Sequence, residues 1–175
     1  DQFNGLDSIV ISSNELYSRT FATVFGIYID YSGSNCLIVN NMIQMNALNR
    51  NSGMLLSNFS GTSGNEILIS NNIISTKNAT YYSTSLARGC VLSSCSYVKI
   101  FYNSINITDG MSTNTYACYF SSCTDIDLKN NNFVLDGCDN GYSIYNSGST
   151  RITSDYNNLY STGTNLGCWN ADVID

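Results

Sequence analysis

The sequence predicts an all-β fold in which the chain coils and lays each turn on the last, a solenoid of about six to seven coils. Three observations predict it. The pattern apolar-x-apolar-x-x-Asn-x-apolar recurs six times along the 175 residues. A second pattern, small-apolar-x-apolar, precedes every copy but the first. Between the two lie clusters of Gly, Asn and Ser, with no sustained helical spacing and no room for a helix of about 10 residues.

Taken in chain order, the first pattern reads Ile9, Ile11, Asn14, Leu16, then Cys36, Ile38, Asn41, Ile43, then Ile67, Ile69, Asn72, Ile74. It continues as Val98, Ile100, Asn103, Ile105, then Ile126, Leu128, Asn131, Phe133, and closes on the degraded copy Ile152, Ser154, Asn157, Leu159. Subtracting successive Asn positions gives steps of 27, 31, 31, 28 and 26 residues. The second pattern reads Gly26-Ile27-Tyr28-Ile29, Gly53-Met54-Leu55-Leu56, Gly89-Cys90-Val91-Leu92, Ala117-Cys118-Tyr119-Phe120 and Gly141-Tyr142-Ser143-Ile144. Gly167-Cys168 opens a further coil. Each repeat is two or three short strands of period two. Stacked at about 4.8 Å per turn, six turns make a rod of about 29 Å.

The Asn in each copy is expected to turn the chain, because Asn tolerates left-handed backbone angles. In register, its side-chain amides can also hydrogen-bond along the column, which makes a buried polar row tolerable. Asn14, Asn41, Asn72, Asn103, Asn131 and Asn157 are therefore read as structural.

These repeats resemble the right-handed parallel β-helix of the pectate-lyase-like superfamily over about residues 7–170. The segment Ser154-Asp155-Tyr156-Asn157-Asn158-Leu159-Tyr160, followed by Gly163-Thr164-Asn165-Leu166-Gly167-Cys168-Trp169-Asn170, resembles the stretch after β-helix blocks in large secreted and cell-surface proteins of the type IX secretion kind. The resemblance implies right-handed coils and an extracellular or cell-surface location. It also implies that residues 1–175 are a single β-helix segment of a longer protein.

Composition narrows the chemistry. With no histidine, the Ser-His-Asp and Cys-His arrangements and His-ligated zinc are excluded. Seven Lys+Arg against thirteen Asp+Glu, a net charge of -6, argue against nucleic acid as a partner. No stretch reaches the roughly 18 apolar residues of a membrane-spanning helix. At 43% hydrophobic residues in regular alternation, the chain carries far more apolar residues than a disordered tract. No cofactor and no metal site are expected.

Aligning the repeats places outward residues in columns. Asp125 faces Arg151, Lys99 faces Asp127 and Lys129 faces Asp155, each one coil apart. These six are either cross-strand ion pairs that set register or the acid–base face of a polysaccharide lyase or glycoside hydrolase, as the resemblance implies. In earlier coils the same face carries Val10, Leu37, Leu68, Val39 and Phe101, an apolar strip awaiting a cover or a ligand.

Cys36 falls in an inward column with Ile9, Ile67 and Val98. Cys90, Cys118 and Cys168 fall in the inward column of Ile27, Met54 and Tyr142, and Cys95 stacks on Cys123. Parallel in-register neighbours keep their Cβ atoms about 4.8 Å apart, beyond the roughly 3.8 Å of a disulfide, so these cysteines read as core fillers. Cys138, in the turn Asp136-Gly137-Cys138-Asp139, is expected near the surface.

Tyrosines supply faces for sugar rings. Tyr28 and Tyr119 point outward in one column with Tyr145 nearby, and an inserted loop from Thr76 to Arg88 carries Tyr81 and Tyr82. The expected role is a non-catalytic module of a secreted or surface-displayed protein, a rigid spacer or adhesion segment in contact with polysaccharide or with flanking domains. The lyase or hydrolase reading is its alternative.

Overall fold

Strands too short to fold back as hairpins must find their partners one coil away, and they do. The structure, a computed structural model, describes residues 8–20, 22–33, 35–47, 50–78, 86–108, 115–169 and 172–173. It is a parallel β-solenoid of about five turns, with no helix among the described residues.

Three faces run along the coil axis. The first stacks β1 (Ile9–Ser12), β4 (Cys36–Val39), β7 (Ile67–Ser70), β10 (Ser96–Phe101), β13 (Thr124–Lys129) and β16 (Thr150–Asp155). The second stacks β2 (Glu15–Thr20), β5 (Met42–Ala47), β8 (Ile73–Asn78), β11 (Ser104–Thr108), β14 (Asn132–Asp136) and β17 (Asn158–Ser161). The third holds β3 (Val24–Ser32), β6 (Arg50–Phe59), β9 (Leu86–Ser93), β12 (Tyr116–Ser121), β15 (Tyr142–Ser147) and β18 (Gly167–Trp169), with β19 (Asp172–Val173) antiparallel at its end. Six strands on a face enclose five full turns, so the expected six to seven coils is slightly high.

The first pattern is the inner lining of the first two faces. Ile9 pairs with Cys36, Ile38 with Ile69, Ile100 with Leu128 and Ile43 with Ile74, each in register. Ile38, Ile67, Ile100, Leu128 and Phe133 are completely buried, and each such side chain contributes roughly 1.5–3 kcal/mol by leaving water.

The Asn column occupies the corner between these faces. Each of the first five donates its main-chain N–H and its Nδ2–H to the Oδ1 of the Asn one coil on, for example Asn72 to Asn103 at 3.0 Å from both. The steps from Asn14 to Asn157 are 27, 31, 31, 28 and 26 residues. Nδ2 of Asn41, Asn72, Asn103, Asn131 and Asn157 also reaches back to a strand carbonyl of the coil before, from Ile11, Ile38, Ile69, Ile100 and Leu128. The expectation that these asparagines themselves take the left-handed angle is wrong. The positive φ belongs to the residue before each: Ser13, Asn40, Asn71, Tyr102, Asn130 and Tyr156, at 54–59°. That residue makes the bend while its successor turns inward to bond, and the sequence pattern sees only the second task.

A shorter column marks the corner between the third and first faces. Ser94 and Ser122 take left-handed angles there, and Cys95 and Cys123 turn inward after them. The Cys95 N–H donates to Cys123 Sγ at 3.4 Å, and the Cys123 N–H to Ser149 Oγ at 2.8 Å. None of the seven cysteines is joined in a disulfide among the described residues. Burial pushes the Cys36 thiol up to about 12. Cys138 is fully buried, not near the surface, because its turn folds in beneath Gly141 and Gly163.

On the third face two consecutive residues point inward, which kinks each strand. The small residue faces the second face, where the missing Cβ of Gly26, Gly53 and Gly89 leaves room for Ile43, Ile74 and Ile105. The next residue, Ile27, Met54, Cys90 or Cys118, fills the core. In β15 the small residue is Ser143 rather than Gly141, since Cys118 pairs with Ile144 and Tyr116 with Tyr142. The sequence alignment was two residues out here, because Gly141 mimics the small position just ahead of it. Cys168 consequently pairs with Tyr145 on the outer surface and is only half-buried, rather than joining Cys90 and Cys118 inside.

Candidate functional site

Two outer surfaces carry polar chemistry. On the first face the predicted register holds, with Lys99 beside Asp127 and Lys129 beside Asp155. The pairing differs in two of three cases. Arg151 grips Asp125 through Nε and Nη2, both at 2.7 Å. Lys99 instead reaches back to Glu66 at 3.3 Å, and Lys129 turns along its own strand to Asp127 at 2.9 Å. Thr153 Oγ1 also donates to Asp127 at 2.9 Å, and Asp155 accepts the N–H of Tyr156. A lysine stem spans either neighbour, and nearly equal partners let local geometry decide. The hydrogen bonds from Arg151 hold the Asp125 carboxyl below its usual range, and main-chain N–H groups of Glu66 and Gly64 do the same for Glu66.

Glu66, Lys99, Asp125, Asp127, Arg151 and Thr153 line an open depression of about 380 Å³, rimmed by Ser63 of the turn between β6 and β7 and by Tyr97. Each cation in it is already neutralised. On the coils before it Val10 is 59% and Leu37 39% exposed, and Leu68, Val39 and Phe101 are half-buried, with Lys129 Nζ 5.9 Å above the Phe101 ring. The apolar strip thus points outward as its spacing requires.

The second surface arises from the kink in the third face. Two inward residues in a row bring the outward residues on either side of them together. One outward column runs Phe25, Ser52, Arg88, Tyr116 and Tyr142. The other runs Tyr28, Leu55, Val91, Tyr119, Tyr145 and Cys168. The columns touch across the kink: Phe25 and Tyr28 rings lie 5.4 Å apart, Tyr116 and Tyr119 5.0 Å, and Tyr142 and Tyr145 5.0 Å. Tyr119 and Tyr145 stack along the axis at 5.7 Å. The result is an aromatic strip, broken in the middle by Ser52, Leu55 and Val91, whose two aromatic ends are three coil steps or about 14 Å apart.

Arg88 lies in this strip with its guanidinium carbon 5.1 Å from the Tyr119 ring and 5.5 Å from the Tyr116 ring. Burial lowers its pKa, with Arg50 nearby adding to the effect, and burial pushes Tyr116 up to about 12. The Arg88 Nε is buried and has no hydrogen-bond partner.

Of the predicted ligand residues, the structure brings Tyr119 into the strip with Tyr145 and leaves Tyr28 at its far end beside Phe25. Tyr81 and Tyr82 lie outside the described residues. The loop from Thr76 to Arg88 is shorter than expected, because Thr76–Asn78 continue β8 and Leu86–Arg88 begin β9. Arg88, Tyr116 and Tyr142, which share the strip, were not singled out by the sequence. A signal for the strip exists in the sequence: aromatic-small-apolar-aromatic recurs at Phe25-Gly26-Ile27-Tyr28, Tyr116-Ala117-Cys118-Tyr119 and Tyr142-Ser143-Ile144-Tyr145. Comparison with protein-family models, with curated proteins and with solved structures finds no match.

Proposed function

We infer that the chain is a non-catalytic β-solenoid module of a secreted or surface-displayed protein, a rigid spacer that holds polysaccharide along its third face. The aromatic strip carries this reading. Tyrosine pairs sit on two successive coils, with Tyr119 and Tyr145 5.7 Å apart, so a glycan lying lengthwise could set apolar sugar faces against them. A scaffold bonded coil to coil through buried amides supplies the stiffness a spacer needs. The extracellular setting, the right-handed sense of the coils and membership of the pectate-lyase-like superfamily rest on the repeat pattern and on the general preference for right-handed crossovers.

The test is retention of the purified chain by a panel of immobilised polysaccharides. Binding to at least one of them is expected, lost in a Tyr119→Ala, Tyr145→Ala double variant whose far-UV circular dichroism is unchanged. Retention by none, or retention indifferent to both tyrosines, would refute the glycan-contacting role.

The depression on the first face favours a second reading, a lyase or hydrolase. Its three closed ion pairs count against it, since a general acid or base works best with its proton free to move. Release of new chain ends from an acidic polysaccharide, abolished by Asp127→Ala, would establish it.

A further inference from the structure

We propose that Arg88 and Arg50 make the middle of the aromatic strip a receptor for a sulfate ester carried on the bound saccharide. This rests on the glycan-contacting role proposed above and names the class of glycan.

The two cations are neighbours by register. Arg50 pairs with Leu86 and Ser52 with Arg88, which places both arginines on adjacent strands at the start of the third face. They are close enough for Arg50 to disfavour the charge on Arg88. Among the described residues neither arginine has a carboxylate partner, whereas Lys99, Lys129 and Arg151 on the first face each have one. The chain as a whole is acidic, at -6, so two unneutralised cations side by side run against its composition.

Arg88 is the stronger sign. Its guanidinium lies over two tyrosine rings, is largely out of water, and leaves the Nε–H without an acceptor. Buried donors are nearly always satisfied, and a buried cation without an anion is costlier still. The tyrosines compensate in part through their ring faces, but a ring offers the N–H edges nothing. An incoming anion would supply the missing charge, and the missing acceptor once the Arg88 side chain turns its Nε–H outward to meet it.

The surroundings select the kind of anion. A ligand group entering here sheds its hydration, as the guanidinium already has. A sulfate monoester spreads one charge over three oxygens and gives up water more readily than a carboxylate, and guanidinium is itself weakly hydrated. Three oxygens also suit two cations approaching from different strands. Tyr119, with Tyr142 and Tyr145 one coil further on, all half-buried, then holds the sugar ring that bears the ester, while the buried Tyr116 supports the guanidinium from beneath.

The experiment is calorimetric titration of the chain with three oligosaccharides of matched length: sulfated, uronate-bearing and neutral. The sulfated one is expected to bind tightest. Arg88→Gln should weaken it by about tenfold or more, the effect of one charge-assisted hydrogen bond, and weaken the neutral one far less. Arg88→Lys, which keeps the charge and the fold but loses the planar stack, should fall between, and Arg50→Gln should weaken the sulfated ligand several-fold. Affinity for the sulfated ligand should also fall with added salt.

Equal binding of all three, unmoved by Arg88→Gln or by Arg88→Lys, would overturn the sulfate assignment and leave the glycan role standing. Preference for the uronate would overturn it in favour of a carboxylate. Binding of none would overturn both.

Discussion

Replacing Asn103 by Ala tests whether the amide column holds the coils together. The Asn103 side chain accepts from the Asn72 N–H and from Asn72 Nδ2, both at 3.0 Å. It donates to Ile69 O at 3.0 Å, to Phe101 O at 3.1 Å and to Asn131 Oδ1 at 3.0 Å. Truncation removes both accepted bonds and the two Nδ2 hydrogens shared among those three acceptors, at a site only 2% exposed where water cannot replace them. At about 1 kcal/mol net for each, the loss is on the order of 4 kcal/mol. Asn14 at the exposed end makes two side-chain donations, to Ser12 O and Asn41 Oδ1, and Asn14→Ala should cost about 1–2 kcal/mol by the same count. Urea unfolding followed by far-UV circular dichroism and by Trp169 fluorescence gives both values. If Asn103→Ala cost no more than Asn14→Ala, the column would be a by-product of register rather than a cause of it. Asn103→Asp sharpens the test. It keeps the two accepted bonds but loses both donor hydrogens and buries a charge, so it should destabilise at neutral pH and recover partly in acid as the carboxyl takes a proton.

Three further outcomes follow from the geometry. Gly89→Val should destabilise by roughly 1–3 kcal/mol, because a Cβ there would press into Ile105 and the Ala117 carbonyl; thermal melting measures it. In alkali, the raised values of Cys36 and Tyr116 make the folded chain hold protons that the unfolded chain releases at the ordinary 9.0 and 10.0. Their contribution is whole below about 9 and is lost as the pH climbs to about 12, so alkaline unfolding should fall in that window, with tyrosinate absorbance of Tyr116 appearing only as the circular dichroism collapses. In acid the sign reverses: Arg151 depresses the Asp125 carboxyl, so that pair contributes at neutral pH and fades as the pH falls through the depressed value. Melting curves of wild type and Arg151→Ala should therefore differ slightly at neutral pH and low salt, and converge in acid or at high salt.

The first and second faces were legible in the sequence because every coil must satisfy the same two demands at the same places. The core needs an apolar side chain at Ile9, Cys36, Ile67, Val98 and Ile126, and the corner needs an amide at each Asn. The third face was less legible. Its strands break the period of two with a pair of inward residues, so a strict alternation assigns Tyr142 to the core and cannot foresee that Tyr116 meets Tyr119. Cys138 was misjudged because Asp136-Gly137 reads as an exposed turn, whereas the burial depends on Gly141 and Gly163 packing over it. On the charged face the columns gave the neighbours of each lysine, but a flexible side chain chooses among neighbours by distances that a register does not contain.

The hydrogen bonds between the six asparagines all point the same way. Within the row every accepting oxygen receives from the residue-1 side and every Asn-to-Asn donation runs toward residue 175, so the column has a head and a tail. Coils can therefore be added or removed by whole repeats in either place, provided the newcomer runs in the same sense. A coil laid in the opposite direction would set oxygen against oxygen. Growth by duplication is thus open to such a fold, while mirror-image joining of two copies through this edge is closed to it.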